Sequence, residues 1–273
     1  MRIPLTSAIL SLAALPAGPS AWARTVDVFP GSGAPLQAAV DAAADGDVLR
    51  IHAGTYTEAV TVTKGLRLAA AGDGPVVVDA GCASQSALAA DADRVALRGL
   101  QVRGGTQYEI DIEKRDRITV EDTVTTDSCG TAEYGINVFQ SDHVRVAGND
   151  ASGFADSGIY LGGIAQGARA RALGNDCHDS ARGIIVEDSV ASVKVKRNRA
   201  TRNASAGIFL HNSDRITVAR NIVTDNTGSG IELDSTSDDN EIVGNRLTGN
   251  GAEAVDHGNN NCWRGNTVNP GCG

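Results

Sequence analysis

A four-residue pattern returns through the second half of the chain at a nearly constant interval. Gly135-Ile136-Asn137-Val138, Gly158-Ile159-Tyr160-Leu161, Gly183-Ile184-Ile185-Val186, Gly207-Ile208-Phe209-Leu210 and Gly230-Ile231-Glu232-Leu233 are followed by a decayed copy, Glu253-Ala254-Val255-Asp256. The glycines lie 23, 25, 24 and 23 residues apart. A period of this length means stacked repeats, each touching only its neighbours, and it constrains the fold more than any local propensity does.

Between the copies an asparagine recurs: Asn149, Asn175, Asn198, Asn221, Asn245 and Asn266, with a second one five residues on at Asn203, Asn226 and Asn250. Apolar residues alternate over three to five positions, as in Arg215-Ile216-Thr217-Val218, which is strand spacing; no long helical period is present. Each repeat therefore reads as one coil of a parallel β-helix, with coils roughly 4.8 Å apart. Ile136, Ile159, Ile184, Ile208 and Ile231 then form an inner column, and the asparagines form amide ladders at a turn. Aromatic residues are only 4% of the chain. That suits a narrow bore filled by aliphatic side chains. A solenoid adds coils without a boundary, so residues 24–273 are expected to be one all-β domain of about nine coils.

The ends have their own signals. Residues 1–23 carry Arg2, an apolar run from Ile9 to Leu15 and the small-x-small site Ala21-Trp22-Ala23, the pattern of a secretory signal peptide. Export to the periplasm or medium is expected, with no membrane span. Pro35 to Ala44 has a helical apolar face of Leu36, Ala39, Val40 and Ala43. A helix over about 35–44 would cover the exposed end of the first coil. In an oxidising compartment Cys262 can pair with Cys272, and Cys82 with Cys129, both of which are expected in loops before a strand; this leaves Cys177 free.

The segments Asp45-Gly46-Asp47-Val48-Leu49 and Gly54-Thr55-Tyr56-Thr57-Glu58 resemble the opening of pectate-lyase-like right-handed parallel β-helix proteins. The Gly-Ile-x-Leu and Asn repeats resemble those of NosD-type periplasmic proteins and carbohydrate-active enzymes, and the tail Asn261-Cys262-Trp263-Arg264-Gly265-Asn266 resembles their closing coil. The resemblance implies a single-stranded right-handed helix over nearly all of residues 26–273. It implies no particular chemistry, because repeats encode stacking. The catalytic segments of pectin methylesterases have no counterpart here. Asp238-Asp239 is the sole partial match to polygalacturonases. Tyr134 to Gln140 begins like the Tyr-Gly-Phe-Asp-Pro-His-Asp segment of mannuronan epimerases, but Asn137 stands where the Asp belongs and Phe139 where the His belongs.

A binding face is sought where the repeat varies. In Gly-Ile-x-Leu the x residue points outward, giving a column Asp111, Asn137, Tyr160, Ile185, Phe209, Glu232, Asp256 if Glu109-Ile110-Asp111-Ile112 is an earlier coil. A second outward column holds Glu113, Glu187, His211 and Asp234. Asp111, Asn137, Tyr160, Phe209 and Glu232 are the candidate ligand-contacting residues: exposed Tyr160 and Phe209, two coils apart, could stack on an extended glycan. His211 could act as general base with Glu187 or Asp234 as its partner, and the carboxylates could hold Ca²⁺. A second candidate is the basic run Lys194 to Arg202, with Lys194, Lys196 and Asn198 on the outer side. It would suit an acidic polysaccharide or simply keep the strand soluble. Nucleic acid is not expected, because removing Arg2 with the leader takes the charge from −9 to −10. The expected protein is a monomer that binds a polysaccharide. A lyase, epimerase or hydrolase is the alternative, and a NosD-type accessory protein a further one. The absence of any methionine after Met1 weighs against a copper site.

Overall fold

The computed structural model describes residues 23–190 and 192–272, so the predicted leader lies outside the described residues except for Ala23. The chain winds into a parallel β-solenoid of about ten turns with three faces. One face is an eleven-stranded sheet running from Thr25–Val28 to Cys262–Arg264. The other two are arms of a second sheet that share the long strands Val76–Ala90 and Gln101–Glu113. Short strands such as Asp176–His178 and Arg199–Thr201 make one arm, and the Gly-Ile strands, Tyr134–Phe139 through Ala252–Asp256, make the other.

The interior follows from the repeat. Ile136, Ile159, Ile184, Ile208 and Ile231 pair coil to coil in register and are fully buried. At the turn after the eleven-stranded sheet the asparagines form a ladder. Asn175 Nδ2 donates to Asn198 Oδ1 at 2.9 Å, and Asn198 Nδ2 donates to Asn221 Oδ1 at 3.1 Å and to the Ala172 carbonyl at 3.0 Å. Each amide so satisfies buried backbone groups that a turn would otherwise strand. A second ladder joins Asn203, Asn226 and Asn250.

The repeat glycines make room for that second ladder. A Cβ on Gly207 would fall 2.3 Å from Val223 and 2.7 Å from the Asn226 amide nitrogen. At both ends of the glycine column a glutamate takes the glycine's place. Glu253 also ends the ladder by accepting from Asn250 Nδ2 at 2.6 Å. Glu109, fully buried one coil before Gly135, accepts from the Gly105 N–H at 3.0 Å, and its other oxygen has no partner. Burial pushes its pKa up to about 8.

A helix, Pro35–Ala42, covers the first coils with Leu36 and Val40 fully buried. It is held at both ends by later residues. The Glu58 carboxylate accepts from the Leu36 and Gln37 N–H groups at 2.9 and 2.8 Å, and Lys64 Nζ donates to the carbonyls of Val40, Asp41 and Ala43. Both contacts place a charge where the helix termini favour it. Cys82 is bonded to Cys129 and Cys262 to Cys272, and Cys177 is free and buried.

Three sequence expectations need correction. Cys82 lies inside the strand Val76–Ala90 rather than in a loop. Asn198 faces inward, because Arg197 takes a left-handed φ of +57° and breaks the alternation that began at Lys194. In the last coil Val255, not Asp256, continues the x column. Asp256 takes the place of Leu233 and accepts from Trp263 Nε1 at 2.6 Å and Asn261 Nδ2 at 2.8 Å, which explains how an acid occupies an inward position.

Candidate functional site

On the Gly-Ile face the register assembles two adjacent outer columns. The x column is Asp111, Asn137, Tyr160, Ile185, Phe209, Glu232 and Val255. The next column runs through Glu113, Phe139, Gly162, Glu187 and His211. Asp234 continues it by pairing with the coil of His211 through its backbone N–H to Leu210.

Four of these side chains form a connected line across the coils. Tyr160 donates its hydroxyl to Glu187 Oε2 at 2.7 Å, and Glu187 Oε1 lies 3.6 Å from His211 Nε2. His211 Nδ1 lies 2.7 Å from Asp234 Oδ2. Burial raises the Asp234 pKa, but hydrogen bonds from the Ser237 hydroxyl and the Asn212 and Thr236 N–H groups outweigh it and hold the carboxyl low. An ionised Asp234 favours the tautomer with the proton on Nδ1, which leaves Nε2 as the basic nitrogen, facing Glu187. The Tyr160 hydroxyl is pushed up, first by burial and then by Glu187, so it remains a donor. The line thus holds the His211 ring with Nδ1 against Asp234 and Nε2 toward Glu187, which defines Nε2 as the atom available for proton transfer.

The rings are less open than the repeat suggested. Tyr160 is only 9% exposed and Asn137 3%, and Ile185 is buried between Tyr160 and Phe209. The Tyr160 ring stacks on Tyr134 at 4.6 Å and lies across Gly162, where a Cβ would come within 2.2 Å of it. Phe209 remains half-buried, tilted against His211 at 5.7 Å, with the Arg182 guanidinium 5.3 Å from its ring centre. Arg182 is itself tied to Asp156 at 2.6 Å. The usable surface is therefore Phe209, His211 and Glu232 with Arg182, and the Tyr160 ring is part of its wall. Sequence reading missed Tyr134, Arg182 and Asp156. Tyr108, Tyr134 and Arg182 directly precede the x-column coils' glycine or its equivalent, a position that was not tracked as a column.

Asp111 and Asn137 continue the x column from Tyr160 toward the N-terminal end of the face. Asn137 Nδ2 donates to Asp111 Oδ1 at 2.7 Å. Burial raises the Asp111 pKa; the Asn137 bond opposes the shift and Glu113 adds to it. A groove of about 420 Å³ beside them is lined by Asp91, Glu113 and Arg115, and Arg115 is paired with Asp91. Among the described residues the group of His, Cys or acidic side chains with ligand atoms within 4.8 Å of one another is Asp116, Asp142 and His143, away from Glu187 and Asp234. No helix among the described residues is long and apolar enough to cross a membrane.

Residues 83–270 match the family model described as periplasmic copper-binding protein (NosD). No curated protein matches the chain in sequence. Among solved structures, pectate lyase Pel9A superposes with a TM-score of 0.67 at 15% identity over 92% of this chain and 81% of that one. Alginate lyase from Paenibacillus sp. str. FPU-7 gives 0.57 at 15% identity, covering 86% and 99%. The periplasmic alginate epimerase AlgG gives 0.54 at 13% identity over 75% of this chain, which spans 61% of AlgG's length. At such identities the likeness is one of fold.

Proposed function

The chain belongs to the NosD family of parallel β-helix proteins, and on that premise we propose that it is an exported protein that binds an extended polysaccharide along its Gly-Ile face. The observation that carries this reading is the half-buried Phe209 ring beside His211, Glu232 and Arg182, set in columns that repeat once per coil. A ring offers an apolar face to a sugar, and flanking charged groups offer hydrogen bonds to its hydroxyls. A coil spacing of about 4.8 Å is commensurate with a pyranose repeat. A pectate lyase, an alginate lyase and an alginate epimerase share the fold, and the signal-peptide pattern of residues 1–23 supports export.

A catalytic reading is favoured by one feature, the His211 imidazole held between Glu187 and Asp234. Abstraction of a sugar-ring proton by His211 Nε2 would be the step to seek. Copper, which the family description names, does not fit the donors among the described residues. Met1 is the single methionine. Cys177 is fully buried, and burial drives its thiol pKa up. The Asp116, Asp142 and His143 group offers two hard oxygens and one imidazole.

The test is a panel of neutral and acidic polysaccharides, read for binding and for ultraviolet-absorbing unsaturated product. Binding to at least one glycan, weakened about tenfold in Phe209→Ala, is expected. His211→Ala should retain binding and lose any product. Absence of binding across the panel overturns the proposal.

A further inference from the structure

Ten of the nineteen arginines among the described residues are paired with a carboxylate of a neighbouring coil. Arg50 meets Asp27, Arg103 meets Asp79, Arg182 meets Asp156 and Arg202 meets Asp179 at 2.5–2.8 Å. The eleven-stranded sheet departs from this pairing over four coils. Arg145, Arg171 and Lys194 stand directly opposite one another in register, and Lys196 lies in the next outward column beside Leu173. Like charges opposite one another on adjacent strands repel; the same column is neutral on both sides of this block, at Ala96, Thr119 and Thr217, and carries Arg67 and Glu241 beyond. Two more cations follow at the turn. Where neighbouring coils have Gly148, Gly174 and Gly244, this stretch has Arg197 and Arg220, each at φ +57°. That left-handed backbone disfavours any side chain and normally selects glycine. Among the described residues Arg171, Lys194, Lys196, Arg197 and Arg220 have no carboxylate within ion-pair distance. Arg145 is held by Glu121 at 2.8 Å, and the one acid lining the groove, Glu241, is taken by Arg264.

Arg145, Lys196, Arg197 and Arg220 line a groove of about 550 Å³ with an aliphatic floor of Leu173, Ala219 and Val243, and Arg171 and Lys194 stand on the same strands as Leu173 and Lys196. We propose that this groove is a second binding site, distinct from the Gly-Ile face, for a linear acidic polysaccharide bearing carboxylate or sulfate groups. An acidic chain of net charge −9 gathers unpaired positive charge here against both mutual repulsion and backbone preference. A polyanion relieves the repulsion, and one negative group per sugar matches one cation per coil at about 4.8 Å. The floor has no aromatic ring on which bases could stack, which sets this groove apart from single-stranded nucleic-acid channels. The site stands independently of the reading of the other face.

Fluorescently labelled polygalacturonate and heparin, titrated at low and high salt, test it, with oligothymidylate as the competing polymer. The full chain should bind at least one acidic glycan, more weakly as salt rises. The combined variant Arg171→Ser, Lys194→Ser, Lys196→Ser should bind about tenfold more weakly or worse and with a shallower salt dependence. Its thermal unfolding should match the parent, and if it does not fold, Lys196→Ser alone is titrated. Lys194→Arg with Lys196→Arg should bind as the parent does. The proposal is overturned by no saturable binding to either glycan, by an unchanged triple or fallback variant, or by tighter binding of oligothymidylate.

Discussion

The Gly-Ile face and the eleven-stranded face are built on the same coils with the same register, yet they treat charge in opposite ways. On the Gly-Ile face a line of polar groups is engaged coil to coil: Tyr160 with Glu187, His211 with Asp234, Arg182 with Asp156, Asn137 with Asp111. On the eleven-stranded face a block of cations has no internal partner. Paired groups are held in one geometry, as proton transfer and directional hydrogen bonding require. Unpaired groups keep their field and their mobility, as recognition of a charged polymer requires. The difference separates a site organised for position from one organised for potential.

The largest expected effect comes from removing the interior common to both faces. Ile208→Asp buries an unpaired charge in a fully buried column and should abolish cooperative folding, seen as loss of the β-sheet circular dichroism signal in the purified chain. A folded Ile208→Asp variant would sink the stacking scheme. Next is the hinge between faces. Asn198→Ala strips partners from the Asn175 amide, the Ala172 carbonyl and Asn221 Oδ1, and should cost about 3–5 kcal/mol in urea unfolding.

Glu109 gives a pH test. Its pKa is raised from 4.5 to about 8, so the folded state binds a proton that the unfolded state releases. This stability is fully present below 4.5 and is lost as pH rises toward 8, by on the order of 3 kcal/mol at neutral pH. Glu109→Gln should flatten that decline in parallel unfolding curves at several pH values; an identical slope in both proteins would mean that Glu109 is already ionised. The smallest effects compare the faces themselves. Arg171→Ser should raise stability by a few tenths of a kcal/mol at low salt and by nothing at high salt. Glu187→Gln should lower it by up to about 1 kcal/mol. The same sign for both would remove the distinction.

Much of this was legible in the spacing of glycines and asparagines. An inward position repeats because every coil faces the same bore, so Ile136 to Ile231 and the ladders could be placed from sequence. Outward positions could be assigned to columns, and Glu187, His211 and Asp234 come together as their spacing implies. Exposure could not be assigned. Whether Tyr160 is open depends on Gly162 and Tyr134, which sit in other columns, and a column taken alone carries no record of its neighbours. Asp256 was misplaced because the final copy has no glycine or leucine to set its frame. The basic run was visible, but its partners were not, since absence of a counter-charge is a property of adjacent coils.

The amide ladder has a direction. From Asn149 to Asn266 each side-chain nitrogen donates to the carbonyl oxygen of the following coil, and Asn266 passes the bond on to Asn269. The second ladder runs the same way and ends on the Glu253 carboxylate. Head-to-tail amide dipoles reinforce one another, so the solenoid is an electrically polar rod, with its amide N–H ends turned toward the C-terminal coils. A polymer lying along it, itself with distinct ends, meets a scaffold on which the two orientations differ in energy before any side chain touches it.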